Sequence, residues 1–230
     1  MYNLLSKLWG ACVVFGKIEY LNLLPFHVFM KRFTKSSQQS MSMHYKGGVP
    51  SQINEKFISH RVDAAFISSI SAQKYKHVGL GIIAKKEVLS VIVVPSDFDE
   101  KDQESASSNV LAKILSIQGK VLIGDKALKH ALSSHDYVDL AKVWNKKYKV
   151  PFVFALLCYH KKQKLFTSIQ RKFLSKKVKI PQYILKKAAS RTGIDTKEIL
   201  KYLEYISYDL DTKARLGLKK FYVLNKKRMK

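Results

Sequence analysis

Short apolar runs alternate along this chain with stretches whose apolar residues recur at helical spacing, and small polar residues mark the joins. Val13 to Ile18 is β-branched and nearly continuously apolar, the pattern of a strand buried on both faces of a sheet. Leu23 to Phe33 then sets Phe26, Phe29, Met30 and Phe33 at helical spacing. Between them lies a polar turn carrying Asn22, with Pro25 in the first turn of the helix. The unit recurs: Asp63 to Ile67 is apolar, Ser68 and Ser69 follow, and a short helix runs to Tyr75. Two strand, polar turn and helix units in succession predict an α/β fold with a parallel sheet.

The rest of the chain extends that reading. The polar linker Lys35 to Met43 leads to a short edge strand near His44 and Tyr45, and Ser51 is placed to cap a helix bearing Ile53, Phe57 and Ile58. Val78 to Ala84 and Val88 to Pro95 read as strands. Ser96 to Ser108 is the most acidic and serine-rich stretch, a composition shift that marks a surface connection between domains. Ser107 or Ser108 is expected to cap the next helix, with Val110, Leu111, Ile114 and Leu115 on its apolar face. A strand at Lys120 to Ile123 turns through Gly124 and Asp125 into a helix starting near Lys126. Asp136 is the expected cap of a helix with Tyr137, Ala141, Trp144 and Tyr148 on one face, and Pro151 to Tyr159 is a buried strand. From Lys161 the chain reads as helical to its end. Pro181 and Gly193 bound one helix, Asp195 and Glu198 make a capping box for the next, and Leu216, Leu218, Phe221 and Leu224 mark the last.

Composition changes this picture in two respects. The 42 Lys and Arg against 17 Asp and Glu leave a net charge of +25 in 230 residues. Such a surplus suits nucleic acid, an anionic membrane surface or small anionic substrates. It is spread over nearly every helix, and no nucleic-acid recognition motif accompanies it, so neither nucleic acid nor membrane is the expected partner. The two cysteines, Cys12 and Cys158, lie in apolar strand-like contexts and read as buried free thiols of a reducing compartment. The apolar stretch near the N-terminus lacks a small-x-small cleavage site and runs into the first strand. A cytoplasmic protein with residues 1–12 as an extension is therefore expected.

Motifs for metals, dinucleotides, nucleoside triphosphates and nucleophilic serines (HExxH, paired CxxC, GxGxxG, GxxxxGK[ST] and GxSxG) are absent, so no metal and no cofactor is expected. What recurs is a small polar residue at a helix start: Asn22, Ser51, Ser68 with Ser69, Ser107 with Ser108. Singly, each is a helix cap. Together, with backbone N–H groups at helix starts, they form a cradle for a carboxylated ligand. The residues alone leave both readings open.

Seven blocks carry a resemblance. YLNLLPF at Tyr20 to Phe26, VPSQIN at Val49 to Asn54, DAAFISS at Asp63 to Ser69, ESASSNVLAKIL at Glu104 to Leu115, IGDKAL at Ile123 to Leu128, VPFVFAL at Val150 to Leu156 and LGLKKFY at Leu216 to Tyr222 resemble, in order and spacing, the chorismate dehydratases of the futalosine route to menaquinone. The dihydroxynaphthoate synthases of that route share the fold, but they open on a Ser-Pro-Cys-Pro-Asn type of turn where this chain has Tyr20, Leu21 and Asn22. The resemblance implies a two-lobed α/β fold of the type 2 periplasmic-binding-protein kind with a ligand cleft between lobes. One lobe is expected at 13–94 plus 160–230 and the other at 95–159, with crossings near Val94 and Tyr159. It implies a hydro-lyase acting on chorismate, a dicarboxylate. On the matching blocks, Ser68, Ser69, Ser107 and Ser108 become carboxylate donors, Phe152 and Phe154 ring walls, and Asn22 the residue that orients substrate or bonds the departing hydroxyl. The base is either Glu19 or the substrate's own enolpyruvyl carboxylate. A non-catalytic binding protein for a small carboxylate is the competing class.

Overall fold

The computed structural model describes residues 12–35 and 43–228. The first half of the chain forms β1 (Val13–Lys17), a 3-10 turn (Leu21–Leu23), α1 (Leu24–Lys35), β2 (Met43–Gly47), α2 (Pro50–Ile58), β3 (Ala64–Ser68), the four-residue α3 (Ser69–Ala72), β4 (His77–Ala84) and β5 (Val91–Val94). Then come α4 (Ala106–Leu115), β6 (Lys120–Ile123), α5 (Gly124–Ser133), β7 (Val138–Asp139), α6 (Leu140–Tyr148) and β8 (Phe152–Tyr159). The C-terminal part holds α7 (Gln163–Leu174), α8 (Gln182–Thr192), α9 (Thr196–Leu203), β9 (Ile206–Asp209) and α10 (Thr212–Arg228). The expected extension lies, apart from Cys12, outside the described residues, as does most of the Lys35 to Met43 linker.

Two sheets organise these elements. The larger has the order β2-β1-β3-β8-β4-β9, the smaller β6-β5-β7. Only β2, β1 and β3 run parallel. The pairs β3–β8, β4–β8 and β4–β9 are antiparallel, as are both pairs of the small sheet. The expected parallel sheet is thus confined to the repeated strand-turn-helix units that predicted it, because a crossover helix is needed only between parallel neighbours. The expected crossings put β5 with the large sheet and β8 with the small one, and pairing does the reverse. Val91–Val94 bonds to β6 and β7, while Phe152–Tyr159 lies between β3 and β4.

Other corrections concern element ends. The chain is not helical throughout after Lys161: Ile206–Asp209 pairs with the free edge of β4. Val49, not Ser51, precedes α2, and Pro50 takes its first turn, where a missing N–H costs nothing. Asp139, not Asp136, caps α6 by accepting from Lys142 N–H at 2.9 Å. Its other oxygen accepts from Val88 and Leu89 N–H at 2.9 and 2.7 Å, tying the segment that links the sheets to the start of α6. Asp195 caps α9 through Lys197 N–H at 2.7 Å, and Glu198 adds no reciprocal bond among the described residues. Cys158 is buried and free, with its thiol pushed up to about 12 by burial, whereas Cys12 is exposed.

The core is aromatic at two places. Phe26 packs against Phe15, Phe66 and Phe173 at 5.8, 5.0 and 5.4 Å between ring centres, joining α1 and α7 to the large sheet. Trp144 and Phe221 meet Phe152 at 5.2 and 4.9 Å, joining α6 and α10 to β8. There Gly217 lets α10 approach the backbone of Pro151, since a Cβ would lie 2.0 Å from its carbonyl oxygen. Among the described residues no helix is long and apolar enough to cross a membrane.

One partly buried histidine couples the fold to pH. His27 donates from Nε2 to Ile18 O at 2.7 Å, and burial lowers its pKa from 6.5 to about 4. Between those values the unfolded chain binds a proton that the folded protein refuses, so stability falls as pH drops from 6.5 toward 4. The full span of that loss is about 3 kcal/mol. His27→Gln, which keeps a donor for Ile18 O, is expected to flatten the slope in urea melts from pH 7 to 4, leaving the share of His77, whose pKa burial also lowers. An unaltered slope would place the proton uptake elsewhere.

Candidate active site

Between the sheets lies a cleft of about 610 Å³, counted to its open mouth. Much of its lining is drawn from the starts of helices: Asn22 in the 3-10 turn, Pro50 at α2, Ser68 ahead of α3, Ser105 and Ser108 at α4, Gly124 at α5. The local reason is chain geometry. β3 and β6 pass directly into α3 and α5, and short turns join β1 and β2 to the 3-10 turn and α2. The strand ends therefore deliver helix starts to one place, with their first N–H groups lacking intrahelical partners. At α2 and α5 the residues before the helix, Val49 and Ile123, supply no side-chain cap. α4 does have a cap: Ser108 N–H donates to Ser105 Oγ at 3.2 Å. Gly124 N–H is taken by Ser90 O at 2.8 Å and Ser68 N–H by Asn54 at 3.1 Å, so what the cleft collects from these helix ends is partial positive charge, which suits an anion.

The charged side chains tell the same story by their positions. Among the lining residues Glu104 alone is charged; the +25 of the chain lies outside the lining. Glu104 is itself engaged. Tyr20 Oη donates to it, and Lys126 Nζ stands 4.0 Å from its carboxylate and 2.8 Å from that of Asp102. Burial and the Glu104 carboxylate push the Tyr20 phenol well above its ordinary range, so it stays protonated as the donor. Among the described residues no three His, Cys, Asp or Glu side chains gather to hold a metal ion.

Asn22 is half-buried and lines the cleft. It is not a cap: Tyr20 precedes the 3-10 turn, and no side-chain cap is made there. Its amide has no hydrogen bond among the described residues, while its backbone is held on both sides. Leu21 N–H donates to Asp125 Oδ1 at 2.9 Å, and Tyr208 Oη donates to Asn22 O at 2.7 Å. Ser68 also lines the cleft. Asn54 clasps it, accepting from Ser68 N–H at 3.1 Å and donating to Ser68 Oγ at 3.0 Å. Ser108 accepts from Ser105 Oγ at 2.7 Å, and Phe154 supplies apolar wall.

Four expected residues stand elsewhere. Ser69 and Ser107 are fully buried behind the cleft, their hydroxyls 3.0 Å apart, with Ile70 N–H donating to Ser107 Oγ at 3.1 Å. They join α3 to α4 instead of facing a ligand. Phe152 belongs to the Trp144 cluster of the core. Glu19 is exposed, pairs with Lys17 at 2.5 Å, and is held below the usual carboxylate range by that bond. It faces an outer groove between α1 and α8, not the cleft. The residues missed were Tyr20, Ser90, Glu104 and Ser105, which line the cleft, and Asn54 behind it. Glu104 and Ser105 carried a signal, since they open the block that contains Ser107 and Ser108. Ser90, which accepts from the buried Tyr202 hydroxyl at 2.8 Å, carried none.

Two sheets of unequal size with a cleft of helix starts between them define a two-lobed protein of the periplasmic-binding type. Solved structures agree. A protein from Archaeoglobus fulgidus superposes with a TM-score of 0.71 at 14% identity, over 94% of this chain and 97% of that one. The periplasmic aliphatic sulphonate binding protein SsuA from Escherichia coli gives 0.61 at 15%, over 95% and 93%. At the level of sequence the menaquinone biosynthesis family model matches residues 13–120 and 108–227, and the chain belongs to that family. A chorismate dehydratase from Campylobacter jejuni is 44% identical over 213 residues, 91% of this chain and 96% of its own length.

The packing of Tyr20 on α5 can be tested directly. Gly124 has φ +67, and a Cβ there would lie 2.6 Å from two ring carbons of Tyr20. Gly124→Ala combines backbone strain with that clash and is expected to cost about 1 to 3 kcal/mol. Urea denaturation reads it, and an unchanged midpoint would mean that the ring gives way freely.

Proposed function

We propose that this protein is a chorismate dehydratase, a hydro-lyase that converts chorismate to 3-[(1-carboxyvinyl)oxy]benzoate and water in the cytoplasm, on the futalosine route to menaquinone. The observation that carries the reading is the Asn22 amide, free of side-chain partners at converging helix starts, in a chain 44% identical to a chorismate dehydratase. The lobes of this reading are 13–84 with 152–228, and 91–148, crossing at 85–90 and 149–151.

The chemistry follows from the substrate and the lining. Chorismate is a dianion, and in place of cationic side chains the cleft offers it helix starts and the hydroxyl of Ser108, which accepts from Ser105 and keeps its own proton to donate, with Ser68 joining once its proton turns from Ser71. The ring carboxylate sits among these donors, with the ring against Phe154. The proton on the ring carbon that bears the enolpyruvyl ether is vinylogously acidic. When it leaves, its electron pair spreads through the ring into the carboxylate, and preorganised donors stabilise that dienolate. The pair then expels the neighbouring hydroxyl, which bonds to Asn22 and departs as water. Aromatisation drives the step. The proton acceptor is the substrate's own enolpyruvyl carboxylate, which hands the proton to the departing hydroxyl. Glu19 lies outside the cleft, and Glu104 already accepts from Tyr20.

Incubation with chorismate is expected to yield the aromatic ether, followed by its ultraviolet absorbance. Binding without product would make the protein a carboxylate-binding module. Asn22→Ala should melt like the parent, because no cap is lost, and should lower kcat by about 100-fold or more; full activity would remove Asn22 from the chemistry. Glu19→Gln is expected to stay within about twofold of the parent, as a surface substitution does. A fall of several orders with chorismate still bound would make Glu19 the base.

A further inference from the structure

The short turn that carries Asn22 is gripped from the opposite side of the cleft. Asp125, the second residue of α5, accepts the Leu21 N–H at 2.9 Å, and its other oxygen lies 3.0 Å from Arg191 Nη1 on α8. Leu21 is fully buried, so its N–H needs a protein partner, and as the first amide of the 3-10 turn it has none within the turn. The small-sheet side therefore completes a backbone bond of the large-sheet side immediately before Asn22, and Arg191 returns the contact to the large-sheet side. Tyr208, bonded to Asn22 O, fixes the next peptide group. Between these two bonds the Asn22 amide is aimed into the cleft.

We infer that Asp125 is a positioning residue: its carboxylate, held in place by Arg191, sets the orientation of Asn22 and does so only when the two sides of the cleft meet. Closure and assembly of the site are then one event. In an opened cleft Asp125 leaves Leu21, the turn loosens, and Asn22 loses its aim. The catalytic consequence rests on the role of Asn22 given above, whereas the structural consequence does not.

The test reads both. Asp125→Ala is expected to lower kcat on chorismate by about 100-fold, the cost of misplacing a reacting group by about an ångström. Asp125→Asn keeps an acceptor for Leu21 N–H and is expected to recover all but about tenfold of the loss, the share of one charge-assisted bond. Hydrogen–deuterium exchange of a peptide spanning 20–24 should quicken by about tenfold or more in Asp125→Ala, with β4 unchanged. Unaltered exchange at 20–24 overturns the inference, and so does faster exchange across the whole molecule. Equal losses in the Ala and Asn variants also overturn it. Should Asp125→Ala fail to fold, Arg191→Gln decides by the same local exchange and turnover. If the parent makes no product from chorismate, the proposed reaction fails, and exchange at 20–24 still decides the role of Asp125.

Discussion

A buried backbone N–H must find an acceptor, and the starts of helices are where this protein has N–H groups left over. Away from the cleft the chain supplies acceptors itself, as Asp139 does for α6 and Asp195 for α9. α7 and α8 begin among exposed residues, where water serves. At the cleft, α2 and α5 begin without side-chain caps, although Pro50 and Gly124 line it. The fold thus brings the positive ends of several helices to one place, even though Gly124 N–H is taken by Ser90 O and Ser68 N–H by Asn54. An anion is the ligand that such ends stabilise, because each helix end adds a partial positive charge at no cost in reorganisation.

This explains how a chain of +25 presents no cationic side chain among the lining residues of its cleft. A lysine in the lining would bind any anion and would hold substrate and transition state alike. Fixed N–H groups and hydroxyls stabilise charge where they point, which favours a dienolate spreading into a carboxylate over the ground state. Glu104 fits the same logic. Its carboxylate accepts from the Tyr20 hydroxyl and shares Lys126 with Asp102, so it is held in a network of the wall.

How much of this was legible in the sequence depends on periodicity. The strands β1, β3, β4, β6 and β8 could be read because apolar runs of that kind fit only buried strands. β9 could not, since its four residues gain strand form from the open edge of β4 and not from their own pattern. At the site, alternation decided what was missed. Ile18 and Tyr20 face the cleft, and Glu19 between them points away, as successive residues of an extended segment must. The serines of α4 follow the helical period instead. Ser105 and Ser108, three apart, share the cleft face, and Ser107 turns toward α3. A run of serines reveals its face only when the first residue of the helix is known, and the cap at Ser105 was read two residues late. Asn22 lines the cleft, and the alternative reading of it as a cap fails because the 3-10 turn makes no side-chain cap.

The contacts that bridge the two sides of the cleft differ in burial, and that difference shapes how the cleft works. Ser69 and Ser107 meet where both are inaccessible, with Tyr222 donating to Ser69 O at 2.8 Å. Separating them would strand buried polar groups, each costing about 1 to 3 kcal/mol. The Tyr20–Glu104 bond is only part-buried, so water replaces it at a smaller cost. A ligand that bridges the helix starts of α2, α4 and α5 favours their close approach only by the contacts it makes there and would lose if they separated.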